Sequence, residues 1–225
     1  MGVAACVVLA MESHLESSAV QEEGCSGLRN LAGDEANRGR IFQAGGVEAI
    51  LAAMERHRYE GPMQRQACAA LRNLSHSVSV QAGLRQYPAL RLILAAMSRF
   101  KEDARMQEHI CAIFRNMCNG GQAMESVTEN DEIAMHLLEV MSAHTENSDV
   151  QEQACAAISN LCCDEDLRGR IIEEGGVEAV KHALCVYGGR VELSKQANLA
   201  LVKLTRFSTT GHPQHGEPPD VLKAG

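Results

Sequence analysis

Residues 20–31 read VQEEGCSGLRNL, and the pattern returns as MQRQACAALRNL from Met63, MQEHICAIFRNM from Met106, VQEQACAAISNL from Val150 and LSKQANLALVKL from Leu193. Successive starts lie 43, 43, 44 and 43 residues apart. A fixed period of this length marks an array of one supersecondary unit, in which each copy buries its apolar face on its neighbours. Such an array works as a surface rather than as a shell around one active site. Within each copy apolar residues fall at offsets 0, 4, 7 or 8, and 11, as in Met63, Ala67, Ala70, Leu71 and Leu74. This is the 3.6-residue stripe of an amphipathic helix.

A second periodic run lies sixteen residues before most starts: VEAILAAM from Val47, LRLILAAM from Leu90 and VEAVKHAL from Val177, with IAMHLLEV from Ile133 one residue further back. Ahead of these, the segments 34–44, 78–87, 122–129 and 164–174 predict a shorter first helix. Gly45-Gly46 and Gly175-Gly176 stand at two of the junctions, where a glycine takes the left-handed conformation after a helix end, and Pro88 suits the start of a helix at a third. Each copy is therefore expected to hold three helices, the first short and the third long. Ala4, Val7, Val8 and Met11 align with Val47, Ile50, Leu51 and Met54, so the first copy is expected to open at its second helix. The expected repeats are about 3–33, 34–76, 77–119, 120–163 and 164–207. A flexible tail is expected over 208–225, where Pro213, Pro218, Pro219 and Gly216 interrupt a stretch without apolar period.

Composition sets further limits. Of 225 residues 45% are hydrophobic but only 3% aromatic, with no Trp, so the core must be built from Ala, Leu, Ile, Val, Met and Cys. A formal charge of −8 speaks against general nucleic-acid binding, which needs clustered surplus Lys and Arg. No stretch approaches the roughly 18 apolar residues needed to span a bilayer, and no membrane partner is expected. Cys25, Cys68, Cys111 and Cys155 share one position of the recurring helix, and the total of nine is odd. Free, mostly buried thiols in a reducing compartment, the cytoplasm or the nucleus, follow. Cys118, Cys162 and Cys163 fall at neighbouring helix ends but lack the spacing of a metal site.

Residues 67–74, ACAALRNL, and 154–161, ACAAISNL, with the Gly-Gly junctions and the 43-residue period, resemble the armadillo repeat, whose third helix ends in Ala-x-x-x-Leu-x-Asn-Leu. The resemblance covers nearly the whole chain. It implies an all-α, right-handed superhelical solenoid of about five three-helix repeats whose third helices line a concave groove. It further implies a protein partner lying along that groove. Importin-α-like receptors carry Trp four residues before the asparagine; this chain has Ser26, Ala69, Ala112 and Ala156 there. The chain is closer to the basic grooves of β-catenin-like and plakophilin-like proteins.

The asparagines are Asn30, Asn73, Asn116 and Asn160, with Lys203 in the fifth copy. Two turns earlier on the same face stand Glu23, Gln66, His109, Gln153 and Gln196. An amide offers both a donor and an acceptor, so a row of them can pair with the backbone of an extended peptide whatever its side chains. Arg29, Arg72 and Arg115 precede the first three asparagines and suit carboxylates, whereas the fourth copy has Ser159. The candidate peptide-binding residues are thus Asn30, Asn73, Asn116, Asn160, Arg29, Arg72, Arg115, Gln66, His109 and Gln153. The competing reading is that asparagines near helix ends cap or brace the neighbouring turn.

Catalytic signatures are missing: there is no GxSxG, HExxH, Walker A or GxGxxG, and His57, His76, His109, His136, His144 and His182 share no metal-ligand spacing. His136 replaces Ile50 in the second-helix stripe and is expected to be partly buried and structural. The Gly-Gly pairs follow helices rather than strands, which argues against phosphate loops. No catalysis, cofactor or metal is expected. The reading is a non-catalytic interaction module for an extended, partly acidic protein segment. Its alternatives are self-association through the apolar edge at residues 3–11 and service as the regulatory arm of a larger enzyme or transport complex.

Overall fold

Side-chain caps decide where the long helices begin. Ser17, Asp103 and Asn147 each accept a hydrogen bond from the backbone N–H three residues on, which starts the helix two residues before the recurring segment. Asp34 and Asp164 cap short helices, accepting from the N–H of Ala36 and of Leu167. The computed structural model describes residues 2–85, 87–119 and 127–206, so the expected tail at 208–225 and most of the short helix expected at 122–129 lie outside the described residues.

Among the described residues there are thirteen α-helices and no strand: α1 (Val3–Ser13), α2 (Ser18–Leu31), α3 (Glu35–Gln43), α4 (Gly46–Arg56), α5 (Gly61–Leu74), α6 (Val78–Leu84), α7 (Tyr87–Arg99), α8 (Ala104–Met117), α9 (Val127–Ala143), α10 (Ser148–Leu161), α11 (Glu165–Glu173), α12 (Gly176–Tyr187) and α13 (Val191–Thr205). The long helices α2, α5, α8, α10 and α13 pack each on the next. The middle helices α1, α4, α7, α9 and α12 form a second row. Of the short helices, α3 packs against α4 and α6, and α11 against α9 and α12. The chain is an α-solenoid. Residues 127–129, expected in a separate short helix, run without a break into α9, while α3, α6 and α11 appear close to where the sequence puts them. No described helix is long and apolar enough to cross a membrane.

Both glycines of each Gly-Gly pair are needed, for different reasons. Gly45 and Gly175 have φ of 77° and 85°, the left-handed region in which a side chain is strained. Gly46 and Gly176 sit so close to the preceding helix that an added Cβ would lie 2.9 and 2.7 Å from the carbonyl oxygens of Ile41 and Ile171.

One apolar core runs the length of the stack, from Val8 and Met11 to Ala200 and Leu204. Phe114 is its bulkiest fully buried member, and Leu, Ile, Met and Ala supply most of the rest. Each fully buried Leu, Ile or Met stabilises the stack by about 1.5–3 kcal/mol relative to exposure. Cys25, Cys68, Cys111, Cys118, Cys155 and Cys162 are buried, whereas Cys6, Cys163 and Cys185 are exposed. Burial pushes the thiols of Cys25, Cys118, Cys155 and Cys162 up to about 12.

Within four copies, middle and long helices are fastened by a buried glutamine. Gln21, Gln64, Gln107 and Gln151 each donate both amide hydrogens to two carbonyls at the end of the middle helix: Met11 and His14, Met54 and His57, Met97 and Phe100, Met141 and His144, at 2.7–3.1 Å. The second carbonyl of each pair also accepts a turn N–H, from Ser17, Glu60, Asp103 or Asn147 at 2.9–3.0 Å, so the glutamine adds a donor there and ties the helix end to the next helix. In the fifth copy the position is Ser194, whose hydroxyl donates to the carbonyl of Gly188 at 2.8 Å.

Candidate functional site

The end of each long helix leaves carbonyls without intrahelical donors, and the next copy supplies them. Asn73 donates through Nδ2 to the carbonyl of Arg29 at 3.0 Å, and Asn160 to that of Arg115 at 2.8 Å. Lys203, which replaces asparagine in the fifth copy, donates through Nζ to the carbonyl of Ser159 at 2.7 Å. Asn116 departs from the pattern by one step: it donates to Ser75 Oγ at 2.8 Å, and that hydroxyl donates to the carbonyl of Arg72 at 2.7 Å. The asparagine row thus ties consecutive copies together. Asn30 is exposed and engages only Arg29 of its own helix, at 3.4 Å. Among the described residues nothing donates to Oδ1 of Asn73 or Asn160, so these acceptors remain open.

A second row of contacts crosses the same seams. Arg29 donates through Nη1 to Gln66 Oε1 at 2.9 Å, and Arg115 to Gln153 Oε1 at 2.6 Å. Arg115 also donates through Nε and Nη2 to Asn116 Oδ1, at 3.3 and 3.1 Å, so each of its three nitrogens donates one hydrogen bond. In the central seam the position of Gln66 and Gln153 is held by His109. Arg72 therefore finds no amide and stands 3.6 Å from the carboxylate of Glu108, beyond hydrogen-bond distance. Nδ1 of His109 is buried without a partner.

Positive charge concentrates at this seam. Burial, then the charges of Arg72 and Arg29, hold the His109 imidazole down at about 4 against an ordinary 6.5. Burial, then Arg38, Arg115 and Arg72, also lowers His76. Arg115 is itself lowered by burial and by Arg72. At the far end of the row the sign reverses: burial and then the charges of Glu192 and Asp149 raise Glu152. Between the rows, Ala69, Ala112 and Ala156 are buried where the long helices pack together.

Every candidate residue from the sequence lies on the long helices, and the structure joins Arg29 with Gln66 and Arg115 with Gln153 across seams, and Arg115 with Asn116 within α8. Their face is not simply open to solvent: Asn116 and Gln153 are buried because the long helices pack side against side. His136 is half-buried; its Nδ1 lies 2.8 Å from the carbonyl of Glu132, so that nitrogen carries the proton and Nε2 accepts from Ser98 Oγ at 2.8 Å. Ser75 was not foreseen as a link, because its position holds Ala32, Cys118 and Cys162 in other copies. Among the described residues no group of three or more His, Cys, Asp or Glu is arranged to hold a metal ion.

The family model of the Armadillo/beta-catenin-like repeat matches residues 136–163, which span much of α9 and all of α10. No curated protein matches the chain. With a repeat matched at 136–163, the same helix ending at 67–74 and an all-helical stack, this chain is similar to the armadillo-repeat proteins, whose general use is as protein-interaction scaffolds.

Proposed function

We propose that the chain is a non-catalytic interaction module that binds an extended, partly acidic segment of another protein along the row of long helices. The observation that carries this reading is the arginine row, in which Arg29, Arg72 and Arg115 stand in register on consecutive helices and the guanidinium of Arg72, ion-paired with Glu108 at 3.6 Å, donates no hydrogen bond among the described residues. The open Oδ1 atoms of Asn73 and Asn160 supply acceptors for a peptide backbone beside them.

Arg72→Glu is the test. A charge-assisted contact is worth about 1.5–3 kcal/mol, so affinity for an aspartate-rich peptide should fall roughly 10- to 150-fold. The thermal midpoint should fall only modestly, because the substitution replaces the partly exposed Arg72–Glu108 ion pair by two like charges but breaks no side-chain hydrogen bond. Arg115→Glu is a poorer probe because it also strips donors from Gln153 and Asn116. Equal affinity of the folded Arg72→Glu protein would move the binding surface elsewhere. A second reading, self-association through α1, draws on the exposure of Val3 and Leu9, 67% and 46%. Light scattering over a range of concentrations separates the two, because only self-association makes the mass rise.

A further inference from the structure

Two of the three arginines are closed off by a glutamine from the next copy, and the third is not. At Arg29 and Arg115 the guanidinium meets Gln66 Oε1 and Gln153 Oε1; at Arg72 the matching residue is His109. A histidine ring in place of the amide leaves two groups short of a hydrogen bond at one seam. Arg72 is ion-paired with the carboxylate of Glu108 at 3.6 Å but donates no side-chain hydrogen bond, and the buried Nδ1 of His109 has no partner.

We propose that Arg72 and His109 form a carboxylate seat at the centre of the row, and that an acidic side chain docks there together with a proton taken up from solvent by the His109 imidazole. This rests on the groove reading above and names how the site is regulated: binding strengthens as pH falls.

The charges around His109 give the reason. From α5 it faces Arg72, from α2 Arg29, and on its own helix Arg105; Asp103 opposes them, but its carboxylate is held by Arg65 at 2.6–2.7 Å. Glu108 lies toward Arg72. In the empty seat, burial and these guanidinium charges disfavour an imidazolium. A seated carboxylate supplies the missing negative charge, which favours the imidazolium and gives Arg72 a hydrogen-bond acceptor. Linkage makes the effect mutual: whatever the peptide does to the affinity of His109 for a proton, the proton does to the affinity for the peptide.

The experiment follows the imidazole of His109 by NMR while an amidated aspartate-rich hexapeptide is titrated in at low salt. The side-chain amides of Asn73 and Asn160 report whether the groove is occupied. At saturation the His109 midpoint should rise from about 4 by roughly 1.5 to 2 pH units. Peptide affinity should fall several-fold between pH 5 and pH 7, a range in which aspartate stays ionised. His109→Gln should restore the closed pair seen at Arg29 and Arg115, weaken the peptide and make its affinity flat with pH. Perturbed asparagine amides with an unmoved His109 midpoint would overturn the seat and leave the groove reading standing. Unperturbed amides at saturating peptide would overturn both. The titration of the unsubstituted protein decides the matter even if the variant fails to fold.

Discussion

At the scale of single residues, the asparagines show how one side chain serves a seam. Asn73 satisfies a carbonyl that the end of α2 leaves bare, so Asn73→Ala should cost about 1 kcal/mol in a urea unfolding series. Asn30→Ala should stay within about 0.5 kcal/mol, because Asn30 is exposed and reaches no neighbouring copy. His109 adds a pH dependence of definite sign. Its proton affinity is lowered on folding, from an ordinary 6.5 to about 4, so the unfolded chain binds the proton more tightly within that window. Stability therefore falls as pH drops from 6.5 toward 4, and the group contributes no such loss above 6.5. Allowing for solvent at a half-buried ring, the loss is about 1–2 kcal/mol. Urea midpoints at pH 7 and pH 4.5 should show a smaller drop for His109→Gln than for the unsubstituted protein; equal drops would exclude His109 as the source.

At the scale of helices, the glutamine clasp decides how the middle and long helices meet. Gln107→Leu keeps bulk but takes the side-chain donor from the buried carbonyl of Met97, while Phe100 O keeps the N–H of Asp103, at a cost of about 1–3 kcal/mol. Amide exchange at the α7–α8 turn should quicken together with the loss of global stability. The Gly-Gly junction is equally specific. Gly46→Ala drives a methyl into Ile41 and its carbonyl, a strain of about 1–3 kcal/mol measurable as a lowered urea midpoint, whereas Gly39→Ala meets nothing within 4 Å and should be harmless.

At the scale of the whole molecule, the core has no centre. It is a strip shared by all copies, so damage at one seam loosens the neighbours on both sides. The thiols report on this directly. In the native protein Cys6, Cys163 and Cys185 should react promptly with a disulfide reagent, and the six buried thiols only as fast as the stack opens. Denatured protein should titrate all nine. A fourth fast thiol in the native state would mean that part of the strip opens by itself.

The sequence alone determined the helical class, the period, the glycine junctions and the burial of the repeated cysteines. Each follows from local periodicity, and a 43-residue recurrence repeats that periodicity until chance is excluded. The ten candidate residues were legible as a row for the same reason. What each of them holds was not legible, because it depends on which atoms face one another across a seam some 40 residues apart in the chain. Asn73 looked free for a ligand and is half committed to Arg29; Arg115 looked available and is spent on Gln153 and Asn116. The recurring glutamine stood in the quoted segments, yet nothing in a one-dimensional pattern shows the two helix-end carbonyls it reaches. Only the packing of helix on helix decided that Arg72 is held by an ion pair with Glu108 rather than by an amide and that Nδ1 of His109 has no partner, since that depends on one imidazole standing where the neighbouring seams have an amide.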